Sequence, residues 1–204
     1  MNIKYLGTQY GGWVVDMDSI QDGDTIISGG VGEDISFDEA LLKEKNVKIV
    51  FIDPTEKSHR FMENNLPEGS ILLKNAIEKN SNDTIKIFKN TNPNYVSESV
   101  SQTHDMVGDD YHEVETIGMK DIIEKYNPSF IKIDIEGSEY NVLEDCSGVK
   151  QICVEFHHHC MTDKSFNDTF QLVSKMKQNG YDIIDNRKNF QEITFLKTNI
   201  KNGV

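Results

Sequence analysis

The chain has 204 residues, 34 of them acidic and 21 basic, for a formal net charge of −13 at pH 7. So negative a surface repels nucleic-acid backbones and anionic headgroups alike, and no run approaches the roughly 18 apolar residues of a membrane span. The reading is a cytoplasmic protein with a small-molecule acceptor and neither a nucleic-acid nor a membrane partner.

One domain covering 1–204 is expected, since a chain of this size buries on the order of 70% of its unfolded surface. Cys146, Cys153 and Cys160 lack the CxxC spacing of a zinc or redox pair and read as reduced, buried thiols. Residues 1–24 form a lead-in strand or flap, in which Gly11-Gly12 precedes the single tryptophan, Trp13, a candidate core anchor. Thr25-Ile26-Ile27-Ser28 reads as a short strand running into the glycine turn Gly29-Gly30-Val31-Gly32-Glu33-Asp34. The spacing of Ser36 and Glu39 predicts a capping box, and Phe37, Ala40 and Leu41 predict the apolar stripe of a helix. Residues 48–52 are almost wholly apolar, as expected of a parallel strand covered on both faces, and end at Asp53-Pro54. A helix over 56–65 and a strand over 70–73, with Asn75 and Ala76 just past its end, complete a β-α-β-α-β half.

Residues 80–113 depart from this rhythm and read as a variable insertion, a candidate acceptor loop. Ile85 and Ile87 alternate with lysines as in a strand, whereas 90–102 is rich in Asn, Ser and Thr. His104, His112, Asp105, Asp109 and Asp110 also fall there, and ordinary surface polarity explains them better than a metal cluster. Residues 114–119 and a short amphipathic helix ending near Asn127-Pro128 lead to Ile131-Lys132-Ile133-Asp134-Ile135-Glu136-Gly137-Ser138-Glu139-Tyr140. Its first half alternates as a buried strand with an acidic end, Gly137 breaks it, and Ser138 is the expected N-cap of a helix.

Residues 151–156 form a further buried strand, which runs into His157-His158-His159. In extended geometry His157 and His159 share a face. Phe166, Phe170, Val173 and Met176 mark the next helix, which stops at Asn179-Gly180, and residues 181–185 and 192–197 close as an antiparallel pair. The order of elements predicts an α/β fold: a single doubly wound, mostly parallel seven-stranded sheet with an antiparallel C-terminal strand.

A glycine turn before a helix lets backbone N–H groups approach a ligand, and an acid at the next strand's end suits both hydroxyls of a ribose. The dinucleotide pattern G-x-G-x-x-G fails at Ile35, and Glu33 and Asp34 would repel a pyrophosphate. A cationic nucleoside, S-adenosylmethionine, suits these acids better.

Three further segments carry a family resemblance: residues 29–38, Asp53-Pro54-Thr55 and Val154-Glu155-Phe156-His157. Together with the K-x-D-x-E-G-x-E run of 132–139, they resemble the FkbM family of methyltransferases in register from about Gly7 to Lys197. The resemblance implies the Rossmann-like class I methyltransferase fold and S-adenosylmethionine-dependent O-methylation of a small hydroxylated metabolite or sugar. It also implies that Gly30 and Gly32, within the loop from Ser28 and Gly29 to Glu33, line the cofactor. Asp53 would bind its ribose, Asn75 or Ala76 would border the adenine, and Asp134, followed by Glu136, would approach the methionine moiety. Many members open this loop with an acid where Ser28 stands, which leaves Glu33 or Asp34 to hold the methionine end.

A hydroxyl acceptor must also lose a proton. His157 or His159 is the candidate base, with a pKa near neutrality; the other option is a divalent ion held by Asp134, Glu155 and His157. Two alternatives from other classes are a nicotinamide-dependent oxidoreductase and a non-catalytic methyltransferase-like binding domain, the latter favoured by Ser28.

Overall fold

The computed structural model describes residues 1–92 and 97–198, so residues 93–96 of the candidate acceptor insertion lie outside the described residues. The chain opens with an antiparallel hairpin, β1 (Ile3–Leu6) and β2 (Trp13–Asp16). It continues through β3 (Thr25–Gly29), α1 (Ser36–Glu44), β4 (Lys48–Ile52), α2 (Glu56–Asn65), β5 (Ile71–Leu73), β6 (Ala76–Glu78), β7 (Thr84–Asn90) and β8 (Val107–Gly118). Then come α3 (Met119–Tyr126), β9 (Phe130–Ile133), α4 (Glu139–Val142), β10 (Gln151–Glu155), α5 (Phe166–Gln178), β11 (Tyr181–Arg187) and β12 (Glu192–Lys197).

Seven strands form the main sheet in the order β11-β12-β10-β9-β3-β4-β5. β3 pairs in parallel with both β4 and β9, and β9 in parallel with β10, whereas β12 lies antiparallel between β10 and β11. The winding therefore reverses between β3 and β9, and the last strand is inserted against the grain. This is the expected doubly wound, Rossmann-like sheet.

Strand alternation explains the apolar runs. Ile27, Val50, Ile52, Ile131, Ile133, Ile152 and Val154 point to one face, where Met119 and Ile122 of α3, Val142 of α4, and Val173 and Met176 of α5 cover them. Ile26, Ile49, Phe51, Phe130 and Cys153 point to the other, against Phe37 and Leu41 of α1, Met62 of α2 and the hairpin. Trp13 is only 3% exposed within that second layer, so the lead-in is a packed hairpin anchored by its tryptophan. Its register against the sheet is held by Thr194 Oγ1 donating to the Val14 carbonyl (2.8 Å) and by the Asp16 N–H donating to Gln151 Oε1 (2.7 Å).

Four local expectations change. The Ser36/Glu39 capping box does not form: Asp34 reaches the Ser36 N–H at 2.7 Å, and Ser36 Oγ instead accepts from the Thr8 N–H. Ser138 takes the expected N-cap position of α4 but makes no capping bond, because its hydroxyl donates to Glu78 Oε1 instead. Phe166 and Phe170 are 44% and 50% exposed, so the buried stripe of α5 is carried by Thr169, Val173 and Met176. Finally, the 80–113 region is far from irregular throughout: β6, β8 and β7 form a second, three-stranded sheet beside the first.

Candidate active site

The C-terminal ends of β3, β4, β9 and β10 converge where the winding reverses, the place at which such sheets open a crevice. A cleft lies there, lined by the glycine loop, by residues 52–55 and 76–77, by the 132–138 segment, by His157 and His159, and by Tyr10 from the hairpin turn. Gly30 is bound to its identity: φ is +74°, and a Cβ would sit 1.6 Å from the Asp134 carbonyl oxygen. The loop thus packs directly on the end of β9. Lys132, 5% exposed, donates Nζ to the Gly30 carbonyl at 2.9 Å, holding the loop from the sheet side.

Asp53 braces the same loop. Its Oδ2 accepts from the Val31 and Gly32 N–H groups (2.8 and 3.0 Å), and its Oδ1 accepts from the Thr55 N–H and hydroxyl (2.8 and 2.7 Å). Thr55 in turn caps α2 through Ser58, so Asp53 joins loop, strand end and helix start. Behind the loop, Asp38 of α1 is buried close to Ser28 and Lys132. Desolvation pushes its carboxyl up to about 6 against the opposing pull of Lys132 and Ser28.

The other end of the cleft is built on His157. Its backbone N–H and its ring Nδ1 both meet Glu139 Oε1 at 2.9 Å, while Glu139 Oε2 accepts from the Gly137 N–H at 2.8 Å. Glu139 is fully buried, which fixes the ring. Nε2 then faces Glu136 Oε2 at 3.3 Å and Asp134 Oδ1 at 3.6 Å. Glu136 adopts φ +51°, turning its side chain back to this point, and His104 Nε2 approaches it at 3.2 Å.

Charges here shift one another. Burial lowers His157, but the carboxylates of Glu139, Glu136 and Asp134 outweigh it and hold the imidazole well above its ordinary pKa. Burial pushes Asp134 and Glu155 up, each raised further by a neighbouring carboxylate. Glu136 ends below its usual range because contact with His104 and the charge of His157 overcome burial. His159 is lowered by partial burial and by the neighbouring His157 charge.

The structure therefore brings Gly30, Gly32, Glu33, Asp53, Ala76, Asp134, Glu136, Glu155, His157 and His159 to one cleft. Ser28 and Gly29 lie beneath the loop, and Asn75 turns aside, its amide 3.4 Å from the Glu115 carbonyl. Ile77 takes the place beside Ala76 instead. Asp34 is occupied by Ser36 and by the Thr8 hydroxyl at 2.8 Å, leaving Glu33 as the exposed acid of the loop. The near-neutral pKa expected of His157 does not hold, owing to its three carboxylate neighbours. Nor does the metal-capable set include Glu155: Asp134, Glu136 and His157 converge, because the left-handed Glu136 backbone brings that side chain in. Of His104, Asp105, His112, Asp109 and Asp110, only the first two come together, 3.8 Å apart and joined by Cys160 in a second group able to hold an ion; the other three lie apart. His104 contacts Glu136 and Cys160, His112 faces Glu98, Asp109 accepts from Gln102 and Asp110 pairs with Lys89.

Sequence reasoning did not single out Glu139 as the partner of His157, nor Lys188 and Glu192, which reach the cleft wall through a turn of three consecutive left-handed residues, Lys188 to Phe190. The dense acids of 134–139 and the His104-Asp105 pair were the available signals. Lys188 left none.

A doubly wound sheet with its final strand inserted antiparallel, opening a cleft at the winding reversal, is the fold of the class I, Rossmann-like methyltransferases. The chain belongs to the methyltransferase FkbM domain family, whose model matches residues 29–183. No curated protein matches it. Among solved structures, the chain is similar to a precorrin-6y C5,15-methyltransferase from Geobacter metallireducens GS-15, at 12% identity over 88% of this chain and 82% of that one, with a TM-score of 0.48. It is also similar to an rRNA methylase from Streptococcus thermophilus, at 9% identity, 89% and 91% coverage and a TM-score of 0.48. A fibrillarin from Aeropyrum pernix, in complex with natively bound S-adenosyl-L-methionine, matches at 9% identity over 89% of this chain and 70% of that one, with a TM-score of 0.45.

Proposed function

We propose that the protein is an S-adenosylmethionine-dependent O-methyltransferase acting on a small hydroxylated acceptor, such as a sugar or a related metabolite. The observation that carries this reading is the charge of the cleft. Glu33, Asp34, Asp53, Asp134 and Glu136 line it beneath a glycine loop and outnumber Lys132 and Lys188 on the same walls. A sulfonium and an ammonium are attracted to such walls, whereas the pyrophosphate of a nicotinamide dinucleotide is repelled. The same charge, with the net −13 of the chain, supports a small acceptor over a nucleic acid.

In this reading Gly30 and Gly32 give the cofactor close backbone approach, with Ala76 and Ile77 bordering the adenine. The Asp53 carboxylate already accepts four hydrogen bonds, so a ribose hydroxyl would replace one of them. Asp134 borders both halves: its backbone packs on Gly30 and its carboxylate faces His157. Methyl transfer is an in-line displacement at carbon, so holding oxygen, methyl and sulfur collinear supplies much of the rate. Of the two candidate bases, His159 is exposed and has a lowered pKa, so it offers a neutral ring nitrogen at pH 7. His157 is held in place by Glu139.

The test is transfer of label from methyl-labelled S-adenosylmethionine to a panel of sugars and hydroxylated metabolites, with release of S-adenosylhomocysteine. Labelled product from wild-type protein, lost in His159→Gln without loss of cofactor affinity, is the expected result. Cofactor binding without product across the panel would favour the non-catalytic reading.

A further inference from the structure

Asp134, Glu136 and His157 bring one ligand atom each to a common point, all three within 4.8 Å of one another. The Nε2 distances of 3.3 and 3.6 Å to the two carboxylates are close to the roughly 3.0 to 3.4 Å that separates adjacent ligands about 2.1 Å from one ion.

The orientation of the histidine is an independent observation. His157 is 5% exposed, and Nδ1 is engaged by Glu139, which places the proton there and aims Nε2 between the two carboxylates. Among the described residues Nε2 approaches both acids at ion-pair distance without hydrogen-bonding to either. A buried carboxylate behind the ring is the arrangement that sets the tautomer of metal-binding histidines. Glu136 is likewise pre-set, by its left-handed backbone and by His104.

We propose that Asp134, Glu136 and His157 bind one divalent transition-metal ion of the Mn2+ or Zn2+ class. Two carboxylates and a neutral imidazole balance its charge, and imidazole favours such ions over Ca2+ or Mg2+. Three protein ligands leave coordination positions open on the cleft side. An acceptor with two adjacent oxygens, a vicinal diol or a hydroxy acid, fits those positions, and a coordinated hydroxyl is more acidic than a free one. The rival arrangement has no metal: His157, as imidazolium, neutralises the two acids itself.

The role toward an acceptor rests on the proposed methyl transfer, whereas ion binding does not, and its test contains neither cofactor nor acceptor. Chelator-stripped protein is titrated calorimetrically with MnCl2 and, separately, ZnCl2. One saturable site per chain is expected, weakened at least about tenfold in Asp134→Asn and in Glu136→Gln, with thermal melting to verify that each variant is folded. Glu155→Gln should retain the site. Pulsed EPR of wild-type protein loaded with Mn2+ should show nitrogen coupling from one imidazole, absent in His157→Gln. The proposal is overturned by wild-type protein that takes up neither metal saturably at millimolar concentration, by affinity that survives both carboxylate substitutions, by loss of the site in Glu155→Gln alone, or by bound Mn2+ without nitrogen coupling.

Discussion

Gly30 and Gly23 share a left-handed backbone, with φ of +74° and +89°, yet only Gly30 has a neighbour in the way of a Cβ, the Asp134 carbonyl at 1.6 Å. Alanine at Gly23 should cost about 1 kcal/mol, the conformational penalty alone. Gly30→Ala must also push the glycine loop off β9 and should cost at least about 2 kcal/mol more, read as the difference between urea unfolding curves. At Asp38 the prediction concerns pH. Its folded-state carboxyl is raised to about 6 from 3.8 by burial, opposed by Lys132 and Ser28, with Asp34 adding slightly to the rise. The folded protein therefore holds this proton more tightly than the unfolded chain, so its contribution is fully present below about pH 4 and is lost as pH rises through about 6. Asp38→Asn removes the titration. Relative to wild type it should gain up to about 3 kcal/mol between pH 4 and pH 7, at about 1.36 kcal/mol per pKa unit, in paired denaturation series; a constant difference would place the carboxylate in contact with water.

At the scale of elements, the β1–β2 hairpin completes the second apolar layer. Trp13 is its anchor, and Trp13→Ala should destabilise the fold by about 3–5 kcal/mol, measured by denaturant unfolding; a loss under about 1 kcal/mol would mean the hairpin only rests on the sheet. The central strands β3, β4, β9 and β10 were legible in the sequence because burial on both faces leaves unbroken apolar runs. β8 was not. Asp109, Asp110, Glu113 and Glu115 are exposed along it, and its side-chain contacts with β7, such as Asp110–Lys89 and Tyr111–Phe88, lie near the surface, so no apolar periodicity marks it. The capping box of α1 failed for a related reason: a correct local pattern lost to Asp34, which a tertiary contact with Thr8 holds in place. In the cleft, Gly30, Asp53 and the acids of 132–139 announced themselves through spacing. The tie from Glu139 to His157 joins α4 to the end of β10 and exists only once β9 and β10 are paired.

Over the whole molecule, the sheet gathers carboxylates from segments far apart in the chain at one edge, and the cleft inherits the sign of the protein. S-adenosylmethionine carries one more positive charge than S-adenosylhomocysteine. Raising ionic strength from about 0.05 to about 0.5 M shortens the Debye length several-fold and should weaken binding of the former more than of the latter. Equal losses would put the acids out of reach of the sulfonium. No helix among the described residues is long and apolar enough to cross a membrane. The most direct measurement of the central claim is a calorimetric titration of the same preparation with S-adenosylmethionine and with NAD. The account predicts saturable one-site binding of S-adenosylmethionine and no heat with NAD; saturable binding of NAD with none of S-adenosylmethionine would contradict it.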